Sequence, residues 1–158
     1  AYDIRPYVED RDDTDWPRLI TTGLIDPFEC RWGIDRCRYL KADYSFPVIR
    51  PDEQHPARVK KRLALKDRPK VLIAGVAGPG RRLEAFVDTE GRYCGAVSTY
   101  TVLHPDDSVV ELERLCEFLN TEEVAHLVAS ILGGASMGSG LLTIRKDFLL
   151  DLRIPNLS

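Results

Sequence analysis

From Lys70 to Asp88 the chain reads Lys-Val-Leu-Ile-Ala-Gly-Val-Ala-Gly-Pro-Gly-Arg-Arg-Leu-Glu-Ala-Phe-Val-Asp. Val71 to Ala74 form a short apolar run, the pattern of a buried strand. Gly75, Gly78, Pro79 and Gly80 then turn the chain near the surface. Arg81 and Arg82 stand at the exit of that turn. A second apolar run ends at Asp88, and Thr89-Glu90-Gly91 reads as a hairpin tip. The stretch predicts two strands joined by a glycine-rich, doubly basic loop. That loop is either a plain surface turn or an anion site. It is a poor nucleotide loop, because it lacks the Gly-Lys-Ser/Thr ending that reaches phosphate and magnesium.

Outward from this stretch, the charge distribution is uneven. The whole chain of 158 residues carries a net charge of −3. Between Gln54 and Arg82 there are nine basic residues and one acid, Asp67, a local charge of +8, so the remainder carries −11. A basic segment in an acidic chain is an electrostatic footprint, and phosphate is its obvious partner. The alternative is a solvated helix face docked on an acidic neighbour.

The length fits one domain with a real core. No run of 18 apolar residues predicts a membrane span, and the acidic start does not read as a signal peptide. Because the chain begins at Ala1 without methionine, it reads as a piece of a longer protein, or as one with a processed terminus. Cys30, Cys37, Cys94 and Cys116 form no Cys-x-x-Cys pair, and His55, His104 and His126 are scattered. Zinc spacing is absent, and reduced thiols in a cytoplasmic protein are expected. No Gly-x-Ser-x-Gly elbow or His-Glu-x-x-His motif supports a hydrolase.

Residues 1–20 are acidic and aperiodic and read as a connector holding at most one short strand, with the domain proper at 21–158. The aromatic-rich stretch from Trp32 to Phe46 reads as core, with a base-stacking platform as the alternative. Arg58 to Leu65 predicts a helix of two to three turns with Pro56 in its first turn. Tyr93 to Leu103 is one long β-favouring stretch. Ser108 caps a helix over 109–119 that buries Leu112, Leu115, Cys116 and Leu119. Asn120 is expected to cap a second helix, with Glu123 completing a capping box and Val124, Leu127, Val128 and Ile131 facing inward. A second glycine-rich loop spans 133–140, followed by a strand and a short helical turn. The pattern predicts a single-domain α+β fold: a mixed, mainly antiparallel sheet with helices packed on it.

The order of these features resembles a family. Lys70-Val71-Leu72-Ile73-Ala74 and Arg82-Leu83-Glu84-Ala85-Phe86-Val87-Asp88 with Gly91 look like the opening of the TaqI-like specificity domain. This is the C-terminal target-recognition region of adenine-specific DNA methyltransferases and of fused restriction-modification enzymes. Leu119-Asn120-Thr121 is similar to the family's Leu-Asn-Ser step. Gly138-Ser139-Gly140-Leu141-Leu142 with Arg145-Lys146, Leu149-Leu150 and Ile154-Pro155 resembles its closing segment. Ile25-Asp26-Pro27-Phe28 with Trp32-Gly33-Ile34 and Tyr39-Leu40 resembles the entry segment.

The resemblance implies a domain that clamps double-stranded DNA against a catalytic AdoMet domain and selects the sequence to be methylated. This chain has no Asn/Asp-Pro-Pro-Tyr/Phe motif and no AdoMet glycine loop. Neither catalytic residues nor cofactor are expected here; AdoMet would belong to the parent protein. Charge chemistry then nominates the DNA contacts. Arg81 and Arg82 could read guanine edges or clamp phosphate. Lys60, Lys61, Arg62 and Lys70 suit phosphates, Arg145 and Lys146 suit the backbone, and Ser136 and Ser139 could donate to phosphates. The competing expectation is a protein-interaction module whose basic segment docks on an acidic partner domain.

Overall fold

A computed structural model describes residues 2–77, 82–132 and 142–153. In chain order the strands begin with β1 (Val8–Asp10), β2 (Arg18–Ile20), β3 (Ile25–Asp26) and β4 (Glu29–Cys30). Then come β5 (Cys37–Tyr39), β6 (Ala42–Tyr44), β7 (Pro47–Ile49) and the helix α1 (Ala57–Leu63). The Lys70–Asp88 stretch yields β8 (Lys70–Ala74), β9 (Val76–Ala77) and β10 (Ala85–Asp88). After it lie β11 (Tyr93–Gly95), β12 (Thr99–Val102), α2 (Val109–Leu119), α3 (Glu122–Leu132), β13 (Leu142–Thr143) and α4 (Lys146–Asp151).

Two sheets share the core. One has the order β10-β8-β12 and is antiparallel throughout. The other has the order β1-β7-β2-β11, with only β2 and β11 parallel. β9 and β13 form a small ladder that brings together the flanks of both glycine-rich stretches. The fold is a single α+β domain, as the sequence pattern implies.

β8 is apolar on every residue from 71 to 74 because both its faces are covered. Val71 and Ile73 point to one side, where they meet Leu112, Cys116 and Leu119 of α2 and Val124 and Val128 of α3. Leu72 and Ala74 point to the other side and pack with Ile20, Leu24 and Ile25. The alternation continues in β2, where Leu19 faces outward to Val59 of α1 and Ile20 faces inward. The layers therefore run α2–α4, the β8 sheet, the β2 sheet, then α1.

Three expectations need correction. Residues 1–20 are not a connector: β1 and β2 belong to the second sheet, and Leu19 and Ile20 are fully buried. Thr89–Gly91 is not a hairpin tip. β10 pairs with β8, while β11 crosses into the other sheet beside β2. The stretch from Tyr93 to Leu103 is thus two strands in two sheets, broken at 96–98. Finally, Asn120 ends α2 and does not cap α3. The Thr121 hydroxyl accepts the Val124 N–H instead, at 3.4 Å. Asn120 is buried, and its amide clamps the Ala85 backbone, accepting from the N–H at 3.2 Å and donating to the carbonyl at 3.0 Å.

Candidate nucleic-acid interface

The +8 segment does not fold into one charged surface. Lys70 is 2% exposed and pairs with Asp88 at 2.6 Å. Its ammonium also donates to the carbonyls of Lys66 at 2.8 Å and Arg68 at 3.1 Å. All three donors are used inside the protein, so Lys70 is a core anchor and not a phosphate contact. Arg68 is held by Asp107 at 2.7 Å and by the His104 carbonyl at 3.0 Å. Lys66 lies 3.6 Å from Asp67. Arg82 forms an ion pair with Glu122, tying residue 82 to the start of α3. Arg145 is similarly matched to Asp147 at 2.9 Å. Lys146 is exposed at the first turn of α4. Arg81, Ser136 and Ser139 lie outside the described residues.

What remains is α1. Pro56 precedes the helix with extended backbone (ψ 147°), occupying the cap position and not the first turn. Val59 is buried against Leu19 and Ile49, and Leu63 packs beside it. That anchoring turns Lys60 and Lys61 to solvent, while Arg62 is half-buried. The three cations occupy the last turn, where the helix dipole favours positive charge. Among the described residues, none of the three has a carboxylate within 4.0 Å.

The tertiary structure adds a hairpin that sequence reasoning missed. β5 and β6 pair Cys37 with Tyr44, Arg38 with Asp43 and Tyr39 with Ala42. Alternation buries Cys37 and exposes Arg38. Tyr39 packs into the cluster that holds Val59 and Leu63. Burial pushes the Tyr39 hydroxyl's pKa up, and the nearby Arg62 charge opposes that shift. Tyr39 therefore joins the hairpin to α1, and Arg36, Arg38 and Lys41 come to the same end of the molecule as the helix cations. The turn residues Leu40 and Lys41 have φ of 48° and 70°. A two-residue turn with both φ values positive ordinarily carries Asn-Gly. Leu-Lys hides that signal, so the alternating Cys-Arg-Tyr and Ala-Asp-Tyr segments do not announce a hairpin.

The cations at 82, 145 and 146 sit with the helices on the far side of the β8 sheet, two layers from α1. The sequence-based candidates therefore separate into two groups on opposite faces. Among the described candidates, Lys60, Lys61 and the half-buried Arg62 on one face and Lys146 on the other have no carboxylate within 4.0 Å.

No family model, curated protein or solved structure matches the chain.

The entry segment Ile25-Asp26-Pro27-Phe28 has a local structural explanation. Pro27 and Phe28 are the two-residue turn between β3 and β4, and Phe28 has φ 62°. The Phe28 N–H donates to the Ala85 carbonyl at 2.9 Å, which docks the turn on β10. Of the aromatic stretch, Trp32 and Tyr44 pack against the inner core and Trp32 donates to the Pro47 carbonyl at 2.8 Å. Ile34 is the exception, 63% exposed. Among the described residues no cluster of His, Cys, Asp and Glu could hold a metal ion, and no helix is long and apolar enough to cross a membrane.

Proposed function

We propose that this chain is a DNA target-recognition domain of an adenine-specific methyltransferase or restriction-modification enzyme. It engages the phosphates of double-stranded DNA through the face built from α1 and the β5–β6 hairpin. In this reading AdoMet binding and catalysis belong to a methyltransferase domain elsewhere in the protein, and the setting is cytoplasmic. The observation that carries it is the sorting of charge. Arg31, Arg68, Arg82, Arg114 and Arg145 are each matched by a carboxylate, whereas, among the described residues, Lys60, Lys61, Arg62, Arg36, Arg38 and Lys41 are not. Cations left uncompensated on one face suit a polyanion, because binding releases the counterions condensed on the duplex. The order of motifs quoted above supports the methyltransferase assignment within that class.

The test is binding of a labelled duplex across a salt series. Three to four phosphate contacts predict a log–log slope of roughly −3 to −4. Competition among duplexes of different sequence then separates a target reader from a general polyanion binder. A chain that binds no duplex at low salt would overturn the reading.

A second reading, a protein-interaction module, is favoured by the exposure of Leu127 (41%), Ile131 (63%) and Leu150 (73%) near α3 and α4. The expected inward stripe of α3 is thus only half covered: Val124 and Val128 are buried, Leu127 and Ile131 are not. A target-recognition domain also needs a surface for its catalytic domain, so the two readings are compatible on opposite faces.

A further inference from the structure

Between the β5–β6 hairpin and the turn at 96–98 lies an open cleft of about 500 Å³. Arg36, Arg38, Thr22, Ser98, Leu40 and Val97 line it, and no acidic residue does. Among the described residues neither arginine has a carboxylate within 4.0 Å. The contrast with Arg31 is close by, since Arg31 faces Asp26, Glu29 and Asp35 at 3.8, 3.0 and 2.9 Å. Asp43, directly across the ladder from Arg38, leaves it unpaired.

The framework of the cleft is already set. The Ser98 carbonyl accepts from the Gly75 N–H at 3.0 Å and from the Thr22 hydroxyl at 2.7 Å. The Ala96 N–H donates to the Ile20 carbonyl at 2.7 Å. Opposite, the strained Leu40–Lys41 turn fixes how Leu40 meets the cleft. Val97 is 55% exposed between the anchored Ala96 and Ser98. Two free guanidiniums, the Ser98 hydroxyl and two apolar side chains in one preformed cleft match one ligand chemistry, an anionic oxygen centre joined to an apolar ring.

We infer that this cleft is a subsite for a single phosphodiester of a bound nucleic-acid strand. Arg36 and Arg38 share the phosphate, and the adjoining sugar rests against Leu40 and Val97. This deepens the DNA-binding reading and rests on it.

The first measurement is an NMR titration of the labelled chain with the dinucleotide dTpdT and, separately, with inorganic phosphate. Saturable shifts at the Thr22, Arg36, Arg38 and Ser98 amides with dTpdT, abolished in Arg36→Gln/Arg38→Gln, are expected. Absent shifts, or shifts that persist in the variant, overturn the subsite. Shifts with inorganic phosphate and none with dTpdT overturn the phosphodiester class. The second measurement is the salt slope of duplex binding. One shared phosphate predicts that the double variant lowers the slope by about 0.9, while either single variant leaves one arginine on the phosphate and the slope nearly unchanged. A double variant that loses about twice that overturns the sharing. An unchanged slope in the double variant, beside a reduced one in Lys60→Gln/Lys61→Gln, overturns the cleft while leaving the DNA reading intact. Wild-type chain that takes dTpdT in the cleft but no duplex keeps the subsite and removes the duplex reading. Both arginines are exposed, so the variants should melt with the wild type.

Discussion

The Lys70 ammonium lies 2.6 Å from the Asp88 carboxylate, and both side chains are 2% exposed. The two residues are also direct partners at the end of the β8–β10 ladder. Asp88 accepts the N–H groups of Arg92 at 3.1 Å and Tyr93 at 3.0 Å. The pair therefore stands where the chain leaves one sheet for the other, and it satisfies backbone groups on both sides of that crossing. Removing one partner strands a buried charge, which costs about 3–5 kcal/mol. Lys70→Met and Asp88→Ala should each lower stability by that order in urea denaturation. The double variant should lose clearly less than the sum, since neither charge is then left alone.

Asn120 should be nearly irreplaceable. Its amide donates to the carbonyls of Ala85 and Cys116 and accepts from the Ala85 N–H, so both its donor and its acceptor ends are used. Asn120→Asp keeps the shape but sets a carboxylate oxygen against two carbonyls. A loss of about 2–4 kcal/mol is expected, from buried groups left without partners. Thermal unfolding would show it as a fall of roughly 4–16 °C for a domain of this size.

Gly75 is required by a neighbouring backbone, not by a ligand. A Cβ there would run into the Ser98 carbonyl, the same carbonyl that accepts the Gly75 N–H. Gly75→Ala should destabilise by about 1–3 kcal/mol, the range for overpacking. A variant as stable as wild type in denaturant titration would refute this close approach.

The cysteines should respond to pH in a defined direction. Burial pushes the Cys94 and Cys116 thiols up to about 11 from an ordinary value near 9. In the unfolded chain they ionise first, so the folded state binds more protons between those two values. Stability is thus fully present below pH 9 and falls from there toward pH 11, by about 1.4 kcal/mol per pH unit for each thiol. Denaturation midpoints measured across that window should track the fall, and replacing Cys94 by Ala should remove part of it. At pH 8 a thiol reagent should label Cys30 first, the half-buried member of the four.

The division of cations makes its own forecast. Lys60→Gln/Lys61→Gln/Arg62→Gln should weaken duplex binding by more than roughly tenfold near 0.1 M salt and flatten the salt slope. Arg82→Gln and Arg145→Gln remove charges already matched by Glu122 and Asp147. They should change duplex affinity less than about twofold in the same fluorescence-anisotropy assay.

Local pattern was enough for several elements. The uninterrupted Val71–Ala74 run announced a buried strand, and Ser108 with the Leu112/Cys116/Leu119 spacing announced α2. These readings hold because periodicity and capping are properties of a few adjacent residues. The α+β class follows from the same signals. Local pattern could not say that β10 and β11 part company, because strand partners are chosen by contacts far away in the chain. It could not assign Asn120, since a residue between two helices can serve either one, and here the Ala85 backbone decided. Charge was the least legible property. The nine basic residues between Gln54 and Arg82 share one segment of sequence, yet folding sends Lys70 into the core, matches Arg68 and Arg82 to Asp107 and Glu122, and leaves Lys60 and Lys61 in solvent. Arg36 and Arg38 join the α1 cations only because Tyr39 packs beside Val59 and Leu63. A charge's sign is set by the residue, but its availability depends on what packs against it, and only the tertiary structure decides that.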